Sequence, residues 1–285
     1  LPPNWLIVKP TQQMQIDGVN FVFHNVPNAE CPAELTFSLP DKKLYDGAEN
    51  LAQTMHNLLP IRGAKVRDAL RWSNYLDQAL QQVEGMEVYI GSHNWPIWGQ
   101  SKIRAFITAH RDAYKYMHDQ TLRLMNQGYT ANEIAEMVQL PASLTQNFGV
   151  RGYYGDVRHN VKAIYQFYLG FYDGNPAHLD PLPPIETAKR YLQLVGGSDK
   201  AVAAAQAAYD QADYRWAVEL LNHVVFGDSN NRAAKDLLAK TYEQLGYRAE
   251  AATWRNAYFT AAQELRQGPP AKGVSKALLI DMLLQ

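Results

Sequence analysis

A chain of 285 residues is long enough to bury one large core or two ordinary ones, and its 27 Lys and Arg stand against 28 Asp and Glu. That balance excludes a global field of the kind that draws in nucleic acid, so an anionic ligand must be met by local charge. A single cysteine, Cys31, excludes an intrachain disulfide, and no apolar run approaches the roughly 20 residues of a membrane span.

The first 45 residues predict strands and turns. Trp5–Val8, Met14–Ile16, Val19–His24 and Leu35–Leu39 carry β-branched and aromatic residues with partial alternation, and Asp17-Gly18 is a hairpin turn between two of them. Asn50–Leu59 and Lys65–Val83 predict helices, the second from Val66, Leu70, Trp72, Leu76 and Leu80 at helical spacing. Met86–Ile90 is a short buried-type strand that delivers the chain into His93. Beyond Gly99 the pattern is helical almost throughout. Lys102–Asn126 predicts one long helix stopped near Gly128, and Thr130-Ala-Asn-Glu133 is a capping box for a helix running from Ile134 to Leu140. Asp156–Leu169 predicts another helix, and the Pro- and Gly-rich stretch 173–184 a possible domain joint. Four or five Ala- and Leu-rich helices follow from Glu186 to Leu265. Within them Tyr214 and Tyr247 stand about one tetratricopeptide period of ~34 residues apart. Gly268-Pro-Pro breaks the helix, and Val274–Gln285 opens a further amphipathic segment.

Three side chains sit at the edges of apolar segments in turn-like settings. They are Glu30 in Pro-Asn-Ala-Glu-Cys-Pro-Ala-Glu (27–34), Glu49 in Gly-Ala-Glu-Asn (47–50) and His93 in Gly-Ser-His-Asn-Trp-Pro-Ile-Trp-Gly (91–99). Such groups at strand ends face a cleft mouth, and they are the ligand types of a divalent zinc site. Their spacing is too wide for a local metal motif, so surface carboxylates and a capping histidine are the competing reading. Cys31, beside Pro32, is expected to be a passive small residue. Arg67 and Asp68 are read as a helix-surface pair or as support for the site. His110 and His118 are placed on a solvated or pairing helix face, and His223 in a helical core.

The same runs, together with Leu-Pro-Ile-Arg-Gly-Ala-Lys-Val-Arg-Asp-Ala-Leu-Arg-Trp-Ser (59–73), resemble the bacterial alkyl sulfatases. Those are enzymes of the metallo-β-lactamase superfamily that hydrolyse dodecyl sulfate and similar esters. The resemblance continues through Asn231-Arg-Ala-Ala-Lys-Asp-Leu-Leu-Ala239 to about residue 267. It implies an α/β partial metallo-β-lactamase (αββα) domain over 1–100 and an all-α dimerisation domain over 101–267, with its tetratricopeptide-like unit. Residues 268–285 would then be a linker and the truncated start of a sterol-carrier-like domain.

The resemblance also implies two zinc ions per complete site and a metal-bound water or hydroxide as nucleophile, with Glu30, Glu49 and His93 among the metal ligands. The family's His-x-His-x-Asp-His ligands match none of the eight histidines, so the chain is expected to be a fragment, inactive by itself. Arg62, next to Gly63, is the expected sulfate cradle, because a guanidinium matches two sulfate oxygens at once. In Arg151-Gly-Tyr-Tyr-Gly-Asp-Val-Arg-His-Asn160, Tyr153 and Tyr154 are expected substrate contacts, and His159 a general acid to the leaving alcohol. Tyr172 is a further candidate of the same kind. Packing between domains is the alternative for Tyr153, Tyr154 and His159. The implied partners are an alkyl sulfate and a second copy of the chain, and the implied location is periplasmic or secreted. Two other functions compete: a non-catalytic helical interaction module, and a metallo-β-lactamase-like hydrolase of a different ester.

Overall fold

Asp17 and Gly18, both at positive φ (49° and 81°), close a two-residue hairpin between β1 (Thr11–Ile16) and β2 (Val19–Asn25), as the Asp-Gly pair predicts. In the computed structural model, which describes residues 3–268, this hairpin begins a six-stranded sheet. It continues through β3 (Leu35–Leu39), β4 (Leu44–Asp46), β5 (Val88–Ile90) and β6 (Ile97–Trp98) in sequential order. All neighbours are antiparallel except β4 and β5, which are parallel. A parallel pair needs a crossover, and α1 (Ala69–Gln82) lies within it. Tyr45 and Tyr89 lie opposite each other in that pair and share one buried core with Trp72 and Leu76 of α1. Residues 5–8 form no strand; Trp5, Leu6 and Val8 are exposed, and the Gln12 side chain accepts from Val8 N (3.4 Å) and donates to Leu6 O (3.3 Å).

The helix α1 starts later than the spacing predicts. Asp68 caps it, its Oδ1 accepting from Arg71 N at 2.9 Å, while Arg67 N donates instead to Leu58 O at 2.9 Å. Residues 50–59, expected to be helical, form no helix. Their main-chain groups are claimed from outside. Trp72 Nε1 donates to Asn50 O at 2.7 Å, and the Tyr89 hydroxyl donates to Leu51 O. Met55 N donates to Arg151 O at 3.2 Å, and Met55 O accepts from Gly155 N at 2.7 Å. His56 N donates to the Tyr114 hydroxyl at 2.9 Å. Leu51, Met55 and Leu58 meanwhile bury their side chains in the core, so the segment is apolar without being helical.

The long α2 (Gln100–Met125) packs on α1, and the same core takes in Ile103, Ile107 and Met117 of α2 together with Ala163 and Ile164 of α5 (Val157–Leu169). Between them lie α3 (Ala131–Met137), opened by the Thr130–Glu133 capping box, and the short α4 (Ala142–Thr145). The chain divides into two compact units between His178 and Leu179, within the Pro- and Gly-rich connector.

Among the described residues the second unit holds five helices: α6 (Pro184–Val195), α7 (Ser198–Asp210), α8 (Tyr214–Gly227), α9 (Arg232–Arg248) and α10 (Ala252–Gln267). Ala201, Ala205 and Ala234 line its core beside Leu221, Val224 and Leu238, small side chains that let helices approach closely. Among the described residues no helix is long and apolar enough to cross a membrane. The expected linker and further domain over 268–285 lie, apart from Gly268, outside the described residues.

Gly155 packs directly on the segment that replaces the expected helix. A Cβ there would stand 2.6 Å from His56 O and 2.8 Å from Met55 O, both main-chain atoms that cannot rotate away. Gly155→Ala is therefore expected to destabilise the first unit by about 1–3 kcal/mol, measured as a lowered Cm in urea.

Candidate active site

The parallel pairing of β4 and β5 brings two chain ends out on the same edge of the sheet. Asp46 and Ile90 are in register there, and Gly47 N to Ile90 O (2.9 Å) and Ser92 N to Ala48 O (3.2 Å) extend the pairing into the loops beyond. Glu49 and His93 each follow three residues after their strand. They meet, with His93 Nε2 and Glu49 Oε1 2.5 Å apart and both side chains open to solvent. The turn carrying Glu49 is rigid. Ala48 is at φ 49°, its N–H held by Asp46 Oδ1 at 2.7 Å, and Glu34 Oε1 accepts from both Glu49 N (3.0 Å) and Asn50 N (2.9 Å). Burial would raise the Glu49 carboxyl, but the His93 hydrogen bond, aided by the Arg67 charge, carries it below the usual carboxylate range.

Glu30 lies on the other side of this turn, paired with the Arg67 guanidinium. Arg67 is no surface residue. It is buried, and it donates through Nε to Glu30 O (2.5 Å) and through Nη1 to Asn57 Oδ1 (2.7 Å) and Asn57 O (2.8 Å), with His56 Nδ1 3.1 Å from Nη1. One guanidinium therefore ties the Glu30 turn to the 56–57 segment, which a single ammonium could not do. Asp68, its expected partner, instead caps α1.

His56 is the residue that the sequence does not single out. It is buried beneath Tyr154, whose ring meets it edge-on at 4.9 Å, and against Trp72 at 5.5 Å. Burial above all, and then the Arg67 charge, push its pKa down to about 4, so the ring is neutral at pH 7. Its Nδ1 lies between Asn57 O at 3.0 Å and Arg67 Nη1 at 3.1 Å. The only sequence signal was its place six residues before Arg62.

Glu34 completes the carboxylate group. Burial, followed by the charge of Glu30, raises it to about 7, and its Oε2 is buried without a partner. Glu30, Cys31 and Glu34 place one ligand-type atom each within 4.8 Å of one another. Glu34 already spends Oε1 on the Glu49 turn, and burial raises the Cys31 thiol as well, so these two read as support for the turn.

Arg62 is exposed in the Pro60–Gly63 turn, with Gly63 at φ 101°, and makes no hydrogen bond or ion pair among the described residues. Tyr153 lies under the Arg151 guanidinium (5.2 Å) and beside Phe148 (5.5 Å), which in turn faces Trp95 of the His93 loop at 6.4 Å. These rings form an apolar row leading to that loop. His159 donates from Nε2 to Leu59 O at 2.5 Å, so its ring braces the same segment. Tyr172 is half-buried beyond α5, and no hydrogen bond or ring contact links it to the other candidates. His110 and His118, expected on a solvated or pairing face, are both buried, and only His118 pairs as that expectation allowed. His110 Nδ1 donates to Phe106 O at 3.2 Å, and His118 bridges Asp119 (2.9 Å) and the Tyr168 hydroxyl (2.8 Å).

A family model described as alkyl sulfatase dimerisation matches residues 130–268. An alkyl/aryl-sulfatase of Saccharomyces cerevisiae is 46% identical over 273 residues, which cover 95% of this chain and 42% of the yeast protein. A linear primary-alkylsulfatase of Pseudomonas sp. is 46% identical over 269 residues, 94% of this chain and 40% of its own length. Among solved structures, the stereoselective inverting sec-alkylsulfatase Pisa1 from Pseudomonas sp. superimposes with a TM-score of 0.93 at 46% identity, over 95% of this chain and 43% of that one. The chain belongs to the alkyl sulfatase family. It spans less than half the length of these relatives.

The donor chemistry of this alkyl sulfatase segment fits a zinc ion at the Glu49–His93 pair. A carboxylate oxygen and an imidazole nitrogen already converge on one point at a solvent-open edge, and a main-chain-locked turn holds the carboxylate. Glu30 fits less directly, since Arg67 holds its Oε1 and leaves the second oxygen for a metal.

Removing the Arg67 cation leaves Glu30 uncompensated. Arg67→Ala is expected to cost about 3–5 kcal/mol, and Arg67→Lys to recover only part of it in denaturant titrations. His110 gives a pH signature. Burial depresses its pKa from 6.5 to about 4, so the stability tied to its neutral form is complete above 6.5 and is lost as pH falls from 6.5 toward 4. Melting temperature is expected to drop across that window, with a shallower drop in His110→Phe.

Proposed function

We propose that the protein to which this chain contributes hydrolyses alkyl sulfate esters at a dinuclear zinc site, with Glu30, Glu49 and His93 supplying this chain's share of the ligands. The observation that carries the reading is the convergence of Glu49 and His93 at the ends of the parallel strand pair. None of the eight histidines lies in a His-x-His-x-Asp-His string, so the remaining ligands belong to no segment of this sequence.

The reaction adds water across the ester, giving the alcohol, inorganic sulfate and a proton. A zinc pair would supply Lewis acidity and water of lowered pKa there. The residues of this chain do the rest. Arg62 offers two N–H donors to two sulfate oxygens, and among the described residues no ion pair must break first. His56, a neutral imidazole coupled electrostatically to Glu49 and His93, is the group of this chain suited to move a proton there. His159 is the other group of this chain that could do so, although its Nε2 donates to Leu59 O. Tyr154 keeps water from one face of His56, and the row Tyr153–Phe148–Trp95 offers an apolar track for the alkyl chain. Tyr172 enters this scheme only as an outlying candidate at the rim.

The same reading makes the assembly a homodimer through the helical region, gives the sheet region a metallo-β-lactamase-type architecture and places the protein in the periplasm or outside the cell. The paired helices α7–α10 are taken as tetratricopeptide-like, on the spacing of Tyr214 and Tyr247 and the packing of successive helices. Elemental analysis beside dodecyl sulfate hydrolysis tests the proposal, on this chain and on a version extended upstream. About two zinc ions and turnover in the extended form alone are expected; an extended form without metal and without activity sinks it. Arg62→Ala in the extended form should raise KM for dodecyl sulfate at least roughly tenfold, as loss of a charge-assisted bidentate contact requires. An unchanged preference for sulfate esters would remove Arg62 from the cradle.

A further inference from the structure

Asn160 is completely buried near the start of α5, thirty residues inside the region matched by the dimerisation model, and both ends of its amide reach one loop of the candidate site. Its Oδ1 accepts from Leu58 N at 2.9 Å, and its Nδ2 donates to His56 O at 3.0 Å. The two contacts bracket Asn57. His159, the preceding residue, holds Leu59 O, and Tyr114 of α2 holds His56 N. The main chain from His56 to Leu59 thus makes these bonds with side chains of the helices α2 and α5, and it leads within three residues to Arg62.

We propose that Asn160 is a positioning residue of the sulfatase site: by clamping His56–Leu58 it fixes the direction of the His56 ring and the starting point of the Arg62 turn. The region named for dimerisation then has a second task, which is to shape the loop on the substrate side of the metal ligands. This inference rests on the function proposed above. The amide is the side chain suited to the task. It presents one acceptor and one donor to an N–H and a C=O two residues apart, and each lost bond leaves a buried main-chain group unpaired. Glu49 and His93 hang from the strand ends and from Glu34 instead, so the clamp bears on the loop and not on the metal.

The test uses the full-length protein that contains this chain, with Asn160→Ala, Asn160→Asp and, as a control, Thr121→Ala. Asp keeps the acceptor for Leu58 N and loses the donor to His56 O, so it serves if the alanine variant does not fold. Thr121 is equally buried in α2, but among the described residues its side chain hydrogen-bonds to Met117 O, at 2.6 Å, and to no group of the loop. Hydrogen exchange of the 55–62 segment, zinc content, and KM and kcat for dodecyl sulfate are measured on each. The Asn160 variants are expected to exchange this segment at least tenfold faster and to raise KM or lower kcat at least tenfold, with zinc content unchanged. Thr121→Ala, compared at an equal loss of melting temperature, should do neither. Unchanged exchange in the Asn160 variants, or an equal kinetic loss in Thr121→Ala, overturns the proposal. Faster exchange in a protein whose wild type does not hydrolyse alkyl sulfates upholds the clamp and removes the sulfatase reading instead.

Discussion

Residues 50–59 are buried, apolar and not helical, and most of what is distinctive in the first unit follows from how their main chain is satisfied. A buried N–H or C=O without a partner costs more than any single side-chain contact returns. A helix would have met that demand internally. Here the partners come from four directions: Trp72 on α1, Tyr89 on β5, Tyr114 on α2, and Gly155 with Asn160 at the start of α5. The loop takes its shape only when sheet and helices are both in place, so the local geometry of the candidate site and the packing of the whole unit are one problem.

The charge distribution follows the same logic. Three carboxylates, Glu30, Glu34 and Glu49, occupy one corner, and only Arg67 is buried among them as a counter-charge. The corner is tolerable because each group has a separate solution. Glu30 takes the guanidinium, Glu34 rises toward neutrality and uses one oxygen on two N–H groups, and Glu49 turns outward to His93. The outward pair is what a cation can reach. A carboxylate and an imidazole that meet at an open edge suit a metal far better than the enclosed Glu30–Cys31–Glu34 group beneath them.

The helical side contributes more than bulk. Gly155 has no room for a Cβ against His56 O, Asn160 spends both amide groups on the loop, and His159 adds a third contact. The second unit solves a simpler problem, stacking Ala-lined helices around Leu221, Val224 and Leu238. Its spacing of aromatic and small residues was visible in the sequence because each helix buries its own face against a neighbour.

Where partners are local, the sequence by itself determined the outcome. The Asp17-Gly18 hairpin, the Thr130–Glu133 capping box, the long α2 and the five C-terminal helices all rest on contacts a few residues apart or on one amphipathic face, and the motifs around Glu30, Glu49, Arg62 and His93 were legible as runs of residues. The tertiary structure alone decided what depends on distant partners. Apolar spacing predicted a helix at 50–59, yet side chains up to about a hundred positions away take its hydrogen bonds. Arg67 and His110 looked solvated because their neighbours in sequence are polar, and both are buried because other elements fold over them. The meeting of Glu49 with His93 required β4 and β5 to lie parallel and in register, a long-range pairing that no local pattern encodes.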